Sequence, residues 1–127
     1  MSSIFSKIVE GEIPCHKVWE DHDHLAFLDI RPAAPGHTLV IPKRETDYLF
    51  DLPEEEHAAL WTAARKVARR LKEVLGCARV CVGIWGFEVP HAHIHLIPCD
   101  SMRDFPPPPH GKMSQDEMAA LASKLSF

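Results

Sequence analysis

The sequence predicts one domain in which a single long helix covers a small set of β-strands. Three observations carry this. The chain has 127 residues, enough for one hydrophobic core and too few for two ordinary ones. From about residue 52 to residue 75 apolar side chains recur every three or four positions. Five other segments are short, apolar and β-prone, and are bounded by turn residues. A composition of 46% hydrophobic and 25% charged residues is that of a globular chain and excludes a fibrous or disordered one. No apolar run reaches the roughly 20 residues a bilayer span needs, and Lys7 and Glu10 interrupt the opening before a signal-like core builds. A cytoplasmic location away from membranes is therefore expected. The net charge of -4 offers no long-range attraction to a polyanion, so polymeric nucleic acid is not an expected partner.

Residues 3–10 have the spacing of a short amphipathic helix with Ile4, Phe5 and Ile8 on one side, ended by Gly11. Segments 15–20 and 25–30 flank the polar turn Asp21-His22-Asp23 as the two strands of an antiparallel hairpin would; His22 and His24 read as surface residues of that turn. Two prolines and a glycine keep residues 31–36 irregular, and they deliver the chain to a third strand, 37–41, stopped by Pro42. For the long helix Asp51 is the expected N-cap, Pro53 fits the first turn, Glu54, Glu55 and Glu56 suit its positive end, and Gly76 is the stop. A rod of about 35 Å follows from a rise of about 1.5 Å per residue. Arg65, Lys66, Arg69, Arg70 and Lys72 read as its solvated outer face. Two more strands, 78–85 and 92–98, are joined by residues 86–91. Pro106 to Pro109 reads as a stiff spacer guiding a last helix, 114–125, back onto the body. Cys15, Cys77, Cys81 and Cys99 form no CxxC pair and are expected to be reduced thiols without structural zinc.

Chemistry enters with histidine. The chain has 9, and His91, His93 and His95 alternate with Ala92, Ile94 and Leu96. On a strand of period two the three imidazoles share one face and the apolar residues point into the core. Three readings are open on the residues alone. A metal site needs a third and usually a fourth ligand, and no Glu or Cys is suitably placed nearby in sequence. The row could be a solvated strand face. It also suits covalent catalysis, because neutral imidazole is nucleophilic near neutral pH. In that case one ring attacks, its second nitrogen is held by an acceptor, and another ring donates to the phosphoryl or leaving group.

The stretch His91 to Ile97 resembles the His-φ-His-φ-His-φ-φ motif, φ being apolar, of the histidine triad (HIT) superfamily of nucleotide hydrolases and transferases. The likeness extends to Ile4-Phe5-Ser6-Lys7-Ile8-Val9, to Leu25-Ala26-Phe27-Leu28-Asp29-Ile30 and to Pro35-Gly36-His37-Thr38-Leu39-Val40-Ile41-Pro42-Lys43. Gly86 and Glu88-Val89-Pro90-His91 are similar to the phosphate loop of small bacterial members, nearest to nucleoside phosphoramidate hydrolases. The resemblance implies an α+β fold over residues 1–127: a five-stranded antiparallel sheet, one long helix packed on it, short N- and C-terminal helices, and a homodimer. It implies cleavage of a nucleoside 5'-monophosphate, AMP by preference, from an amine, acyl or phosphate leaving group through a nucleotidyl-histidine, without a cofactor. A nucleotide-binding module with little turnover is the alternative.

By matched position His93 would be the nucleophile, His95 would hydrogen-bond the phosphate or leaving group, and His91 and His37 would support the row. Asp29 would hold the ribose hydroxyls, although it could instead cap the turn at Arg31-Pro32. Ile4, Phe5, Ile8, Phe27 and Ile30 would form the slot for a purine base, or simply pack the core, and the backbone N–H groups of Gly86 and Glu88 would face the phosphate. The chain departs from the pattern at Phe87, where many members carry glutamine, and across the apolar stretch 80–85, where they carry asparagine. Some bacterial relatives bind zinc through cysteines that here are Ser3 and Ser6, and Glu45 stands where they often show histidine; no zinc is expected. Because attack requires neutral imidazole, activity is expected to fall as pH drops through about 6 to 7.

Overall fold

A computed structural model describes residues 2–104 and 111–127. The elements are α1 (Ile4–Val9), β1 (Lys17–Glu20), β2 (His24–Leu28), β3 (Thr38–Pro42), α2 (Glu54–Leu75), β4 (Arg79–Gly83), β5 (Ile94–Cys99) and α3 (Gln115–Leu125). The strands form one antiparallel sheet in the order β1-β2-β3-β5-β4. The α+β architecture implied by the resemblance is therefore the observed one. No described helix is long and apolar enough to cross a membrane.

Alternation along the central strands gives the sheet two buried faces. Ala26, Val40, Ile94 and Leu96 point to one face and pack under Leu60, Ala63, Ala64, Val67 and Leu71 of α2. Leu25, Phe27, Leu39 and Ile41 point to the other, where Phe5 of α1 covers them. Fully burying a Leu, Val or Phe side chain is worth about 1.5–3 kcal/mol, so α2 is fixed by its apolar seam. Its cationic residues Arg65, Lys66, Arg69, Arg70 and Lys72 are exposed, as the outer face requires.

The chain enters and leaves α2 by different means. Gly76 adopts a left-handed φ of 67° at the C-cap, and its N–H bonds to the Lys72 carbonyl. At the other end Asp51 is not the cap: it closes a 3-10 turn, Leu49–Asp51, and Pro53 precedes the first helical residue without any side-chain cap. The carboxylates of the first turn, Glu54, Glu55 and Glu56, supply the favourable charge there. Gly36 is required where the loop into β3 crosses the end of α2, since its φ is 94° and a Cβ would lie 2.5 Å from Leu75 Cδ1.

Several expected boundaries move. Pro42 does not stop β3 but is its last residue, in register with His24, because a proline at a strand end still offers its carbonyl. His24 itself is buried, with Nδ1 3.0 Å from Asp21 Oδ1, and is no surface turn residue; His22 is. Pro98 lies inside β5, beyond Leu96, where the β3 ladder has ended and only β4 is paired. The β4–β5 connection is longer than the sequence suggests, running from Ile84 to His93, and β5 begins only at Ile94. Helix α3 forms where expected, closed by a capping box between Ser114 and Glu117, but none of its residues is buried, so it does not return onto the sheet. The proline run 106–109 lies outside the described residues.

Candidate active site

The second face of the sheet collects the histidines. His91 (0% exposed), His93 (6%), His95 (5%) and His37 (4%) are all buried there, so the row is not a solvated strand face. Only His95 belongs to the ladder of β5, opposite Leu39 on one side and Gly83 on the other. His91 and His93 continue the extended line upstream of it, while Ala92 and Ile94 fill the core beneath α2. The alternation read from the sequence therefore holds beyond the regular strand.

Each ring is held in a definite tautomer by its partners. Nε2 of His91 lies 2.7 Å from the Pro42 carbonyl, which can only accept, so that nitrogen carries the proton. Its Nδ1 then accepts from the Ser3 hydroxyl at 2.8 Å. Nδ1 of His93 lies 2.6 Å from the His91 carbonyl and must donate, which leaves the lone pair of His93 on Nε2. His37 accepts the Ala33 N–H on Nδ1 at 3.0 Å, so its Nε2 donates to Nδ1 of His95, also at 3.0 Å. The proton of His95 is thereby placed on Nε2. That nitrogen is buried and has no acceptor among the described residues.

Burial shifts the four rings in one direction. It lowers the pKa of His37, His91 and His93 below the ordinary imidazole value, with bonds and nearby carboxylates opposing it only in part. For His95 burial, reinforced by repulsion from His93 and His37, lowers it to about 3. Trp85 stacks on His95 with ring centroids 3.7 Å apart and an interplanar angle of 17°. Phe5 meets His93 edge-on at 5.0 Å. The cluster is thus a row of neutral imidazoles packed between aromatic rings.

Behind the row, α1 is tied to His91 through polar groups. The Ser3 N–H and the Ser6 hydroxyl donate to Glu45 Oε1 at 2.6 and 2.7 Å, and Ser3 also caps α1 through the Ser6 N–H. The Ser3 backbone bond, followed by that from the Ser6 hydroxyl, holds the Glu45 carboxyl down at about 2. Ser3, Ser6, Glu45 and His91 therefore satisfy one another. Removing the Ser3 hydroxyl leaves Nδ1 of His91 with Ser6 Oγ at 3.4 Å as its nearest hydroxyl and also removes the α1 cap. Ser3→Ala is expected to cost about 2 kcal/mol of unfolding free energy in urea denaturation, and an unchanged midpoint would show that the link to α1 carries no stability.

A cavity of about 390 Å³ opens beside His93 and His95. Ile4, Phe5 and Ile8 of α1 line it, together with Phe27, Asp29 and Ile30 at the end of β2, and Glu88 from the loop before the triad. Phe5 and Phe27 are buried against each other, at 5.5 Å and 71°, and serve as core and wall at once. Ile4 and Ile30 are 49% and 83% exposed and are not core residues. Asp29 does both things expected of it: Oδ1 accepts the Arg31 N–H at 2.8 Å, and Oδ2 lies 3.5 Å from His37 Nε2 at the cavity wall. Gly86 is the exception among the residues expected to contact the nucleotide. It does not line this cavity but a neighbouring one, and it turns the loop with a φ of 63°. Among the described residues Asp29, His37 and His95 could hold a metal, their ligand atoms lying within 4.8 Å of one another; a metal there would displace the proton shared by the two rings.

Sequence reasoning missed Trp85, because it was assigned as the last residue of the strand 78–85. Its position next to Gly86, immediately before the triad, is the signal that could have placed it in the site loop.

The sheet order and the extended histidine row that crosses it are those of the histidine triad class. A family model for the HIT domain matches residues 10–102, and the chain belongs to that family. It is 40% identical over 99 residues to the adenosine 5'-monophosphoramidase hnt1 of Schizosaccharomyces pombe, which covers 77% of this chain and 74% of that protein. A crystal structure of a HIT family protein from Bacillus subtilis superposes with a TM-score of 0.86 at 30% identity, over 98% of this chain and 95% of the other. A zinc-bound histidine triad family protein from Mycobacterium smegmatis superposes with a TM-score of 0.75 at 31% identity, over 98% of each chain.

Proposed function

We propose that this chain is a nucleotide hydrolase or nucleotidyl transferase that releases AMP from an amine, acyl or phosphate leaving group through a covalent adenylyl-histidine at His93. The observation that carries the reading is the 2.6 Å bond from His93 Nδ1 to the His91 carbonyl, which leaves the attacking lone pair on Nε2 of a ring at the edge of the cavity. That lone pair forms a bond to phosphorus while the bond to the leaving group breaks and its electron pair departs with the leaving atom. Water then attacks phosphorus, the N–P bond returns its electrons to the ring, and AMP is released. For an amine substrate the sum is phosphoramidate plus water to amine plus AMP. The Nε2–H of His95 donates to a phosphoryl oxygen, which supplies its missing acceptor and offsets charge in the transition state.

Asp29 accepts from the ribose hydroxyls through the oxygen that Arg31 does not occupy, and the base lies against Ile4, Phe5, Ile8, Phe27 and Ile30. The exposure of Ile4 and Ile30 supports that slot, since a purine would cover surface the fold leaves open. The Glu88 N–H faces the phosphate. We place Gly86 in the same loop as a turn residue rather than the phosphate contact expected of its N–H. His91 and His37 act by fixing the tautomers of His93 and His95.

The named activity of the fission-yeast relative supports the adenosine phosphoramidate as substrate. We further propose a cytoplasmic homodimer of single-domain chains. The outer edge of β4, unpaired among the described residues and with Val82 45% exposed, and the exposed Val74 and Leu75 at the end of α2 support pairing there. Single-turnover reaction with an adenosine phosphoramidate, acid-free quenching and mass spectrometry should find AMP attached to the peptide containing residues 91–98, on His93. AMP bound tightly with neither adduct nor turnover would instead establish the binding module that Phe87, in place of the family glutamine, makes the competing reading.

A further inference from the structure

His93 and Trp85 are shared by two cavities. The first is the one just described. The second, about 640 Å³, is walled by residues 84–87 of the loop before the triad, Trp85 and Phe87 among them, and by Asp47, Tyr48 and Phe50. Phe50 lies in the 3-10 turn before α2 and Tyr48 immediately precedes that turn, and they hold each other edge-on at 5.5 Å and 80°. They are 56% and 64% exposed, and Phe87 is 94% exposed, so none of the three is needed to fill the core. Trp85 is placed by its stacking on His95, but the three exposed aromatic side chains that join it on one wall at the edge of a buried nucleophile need an explanation that packing does not supply.

A nucleotide conjugate has two arms joined at phosphorus. If phosphorus meets His93, one arm extends into each cavity, and the arm carrying ribose belongs with Asp29. On that reading of the first cavity, we propose that the second is the leaving-group site and that it selects an aromatic amine: Tyr48, Phe50 and Phe87 sandwich its ring while the amine nitrogen stays bonded to phosphorus at His93. A volume of about 640 Å³ lies within the roughly 300–1,000 Å³ of small-ligand sites, and the wall offers aromatic faces with few polar groups. Among the described residues of its wall the one carboxylate is Asp47, and none is Lys or Arg. A polyphosphate arm would meet repulsion there, whereas the ammonium product of P–N cleavage would be attracted. Phe87 is central to this: where many relatives carry an amide, this chain carries a ring. In the reaction the P–N bond breaks, its electron pair goes to the amine, and the amine takes a proton from water as the N–P bond to His93 forms.

The test compares kcat/KM for adenosine phosphoramidates of methylamine, butylamine and 2-phenylethylamine, amines of similar basicity, with a diadenosine polyphosphate as the anionic arm. The phenylethyl compound is expected to exceed the methyl compound by about 30-fold and the butyl compound by several-fold, as burial of a phenyl ring predicts. In Phe50→Ala and in Phe87→Gln the phenylethyl-to-methyl ratio is expected to fall by about tenfold. The readout is a ratio, so a general loss of activity in a variant does not imitate the result. Equal kcat/KM for the three amines, a ratio unchanged in both variants, or diadenosine polyphosphate as the best substrate overturns the aromatic site while leaving the hydrolase reading intact. Turnover of none of the four, with folded protein, overturns the hydrolase reading itself.

Discussion

Replacing His93 by alanine lowers kcat/KM for an adenosine phosphoramidate by on the order of 10⁴-fold or more, the expected cost of deleting a covalent nucleophile. The loss should appear in kcat, because the apolar slot and Asp29 remain to bind the nucleotide. Removing the ring also removes the edge contact with Phe5 at 5.0 Å, so some stability is lost as well, and activity alone would not separate the two effects. Added imidazole separates them: a free ring entering the gap can attack phosphorus again, and partial rescue that saturates with imidazole is the expected signature. Turnover within tenfold of the unmodified protein would reject His93 as nucleophile. The acid limb of the unmodified enzyme provides a related check. Burial lowers the pKa of His93, so the fall in kcat/KM that the sequence places at about pH 6 to 7 is expected below the ordinary imidazole value of about 6.5.

The second large effect is on stability. His37, His91, His93 and His95 all have folded-state pKa values below that of an unfolded histidine, His95 at about 3. Above about pH 6.5 both states are neutral at these rings and nothing changes with pH. Below it the unfolded chain binds protons that the folded chain refuses, so stability falls as pH falls, by up to about 1.4 kcal/mol per pH unit for each ring, until the folded-state pKa is reached. A loss of roughly 3 kcal/mol between pH 7 and pH 5.5 is expected from four such rings. At lower pH the depressed carboxyls of Glu45 and Asp21 add a further loss in the same direction, since protonating them breaks the bonds that depress them. Urea midpoints measured at half-unit intervals should decline from about pH 6.5 downward. A flat midpoint between pH 7 and pH 5.5 would mean the four rings are protonated equally well in the folded protein.

Elements whose residues repeat with a clear period were legible in advance. The α2 seam, the hairpin of β1 and β2 and the alternation from His91 to Leu96 each announce themselves within a short window. Boundaries were less legible. Asp51 has the side chain of a cap, yet the turn Leu49–Asp51 consumes it before the helix starts. Helix α3 has an apolar side and a good capping box but no buried residue, because amphipathicity states only what a helix could cover. Trp85 reads as the last residue of a strand in sequence, lies beyond the end of β4 and is found stacked on His95.

By itself the sequence determined that three imidazoles share a face, that apolar residues alternate with them, and that a long helix covers the opposite side. Only the tertiary structure decided which nitrogen of each ring carries its proton. Those assignments come from the Pro42 and His91 carbonyls, the Ser3 hydroxyl, the Ala33 N–H and the His37 Nε2–H, and three of them cross more than 45 residues of chain: 88 for Ser3 to His91, 58 for His37 to His95 and 49 for Pro42 to His91. Side-chain period is a local property of the backbone, while a tautomer is set by whatever group the fold brings within about 3 Å.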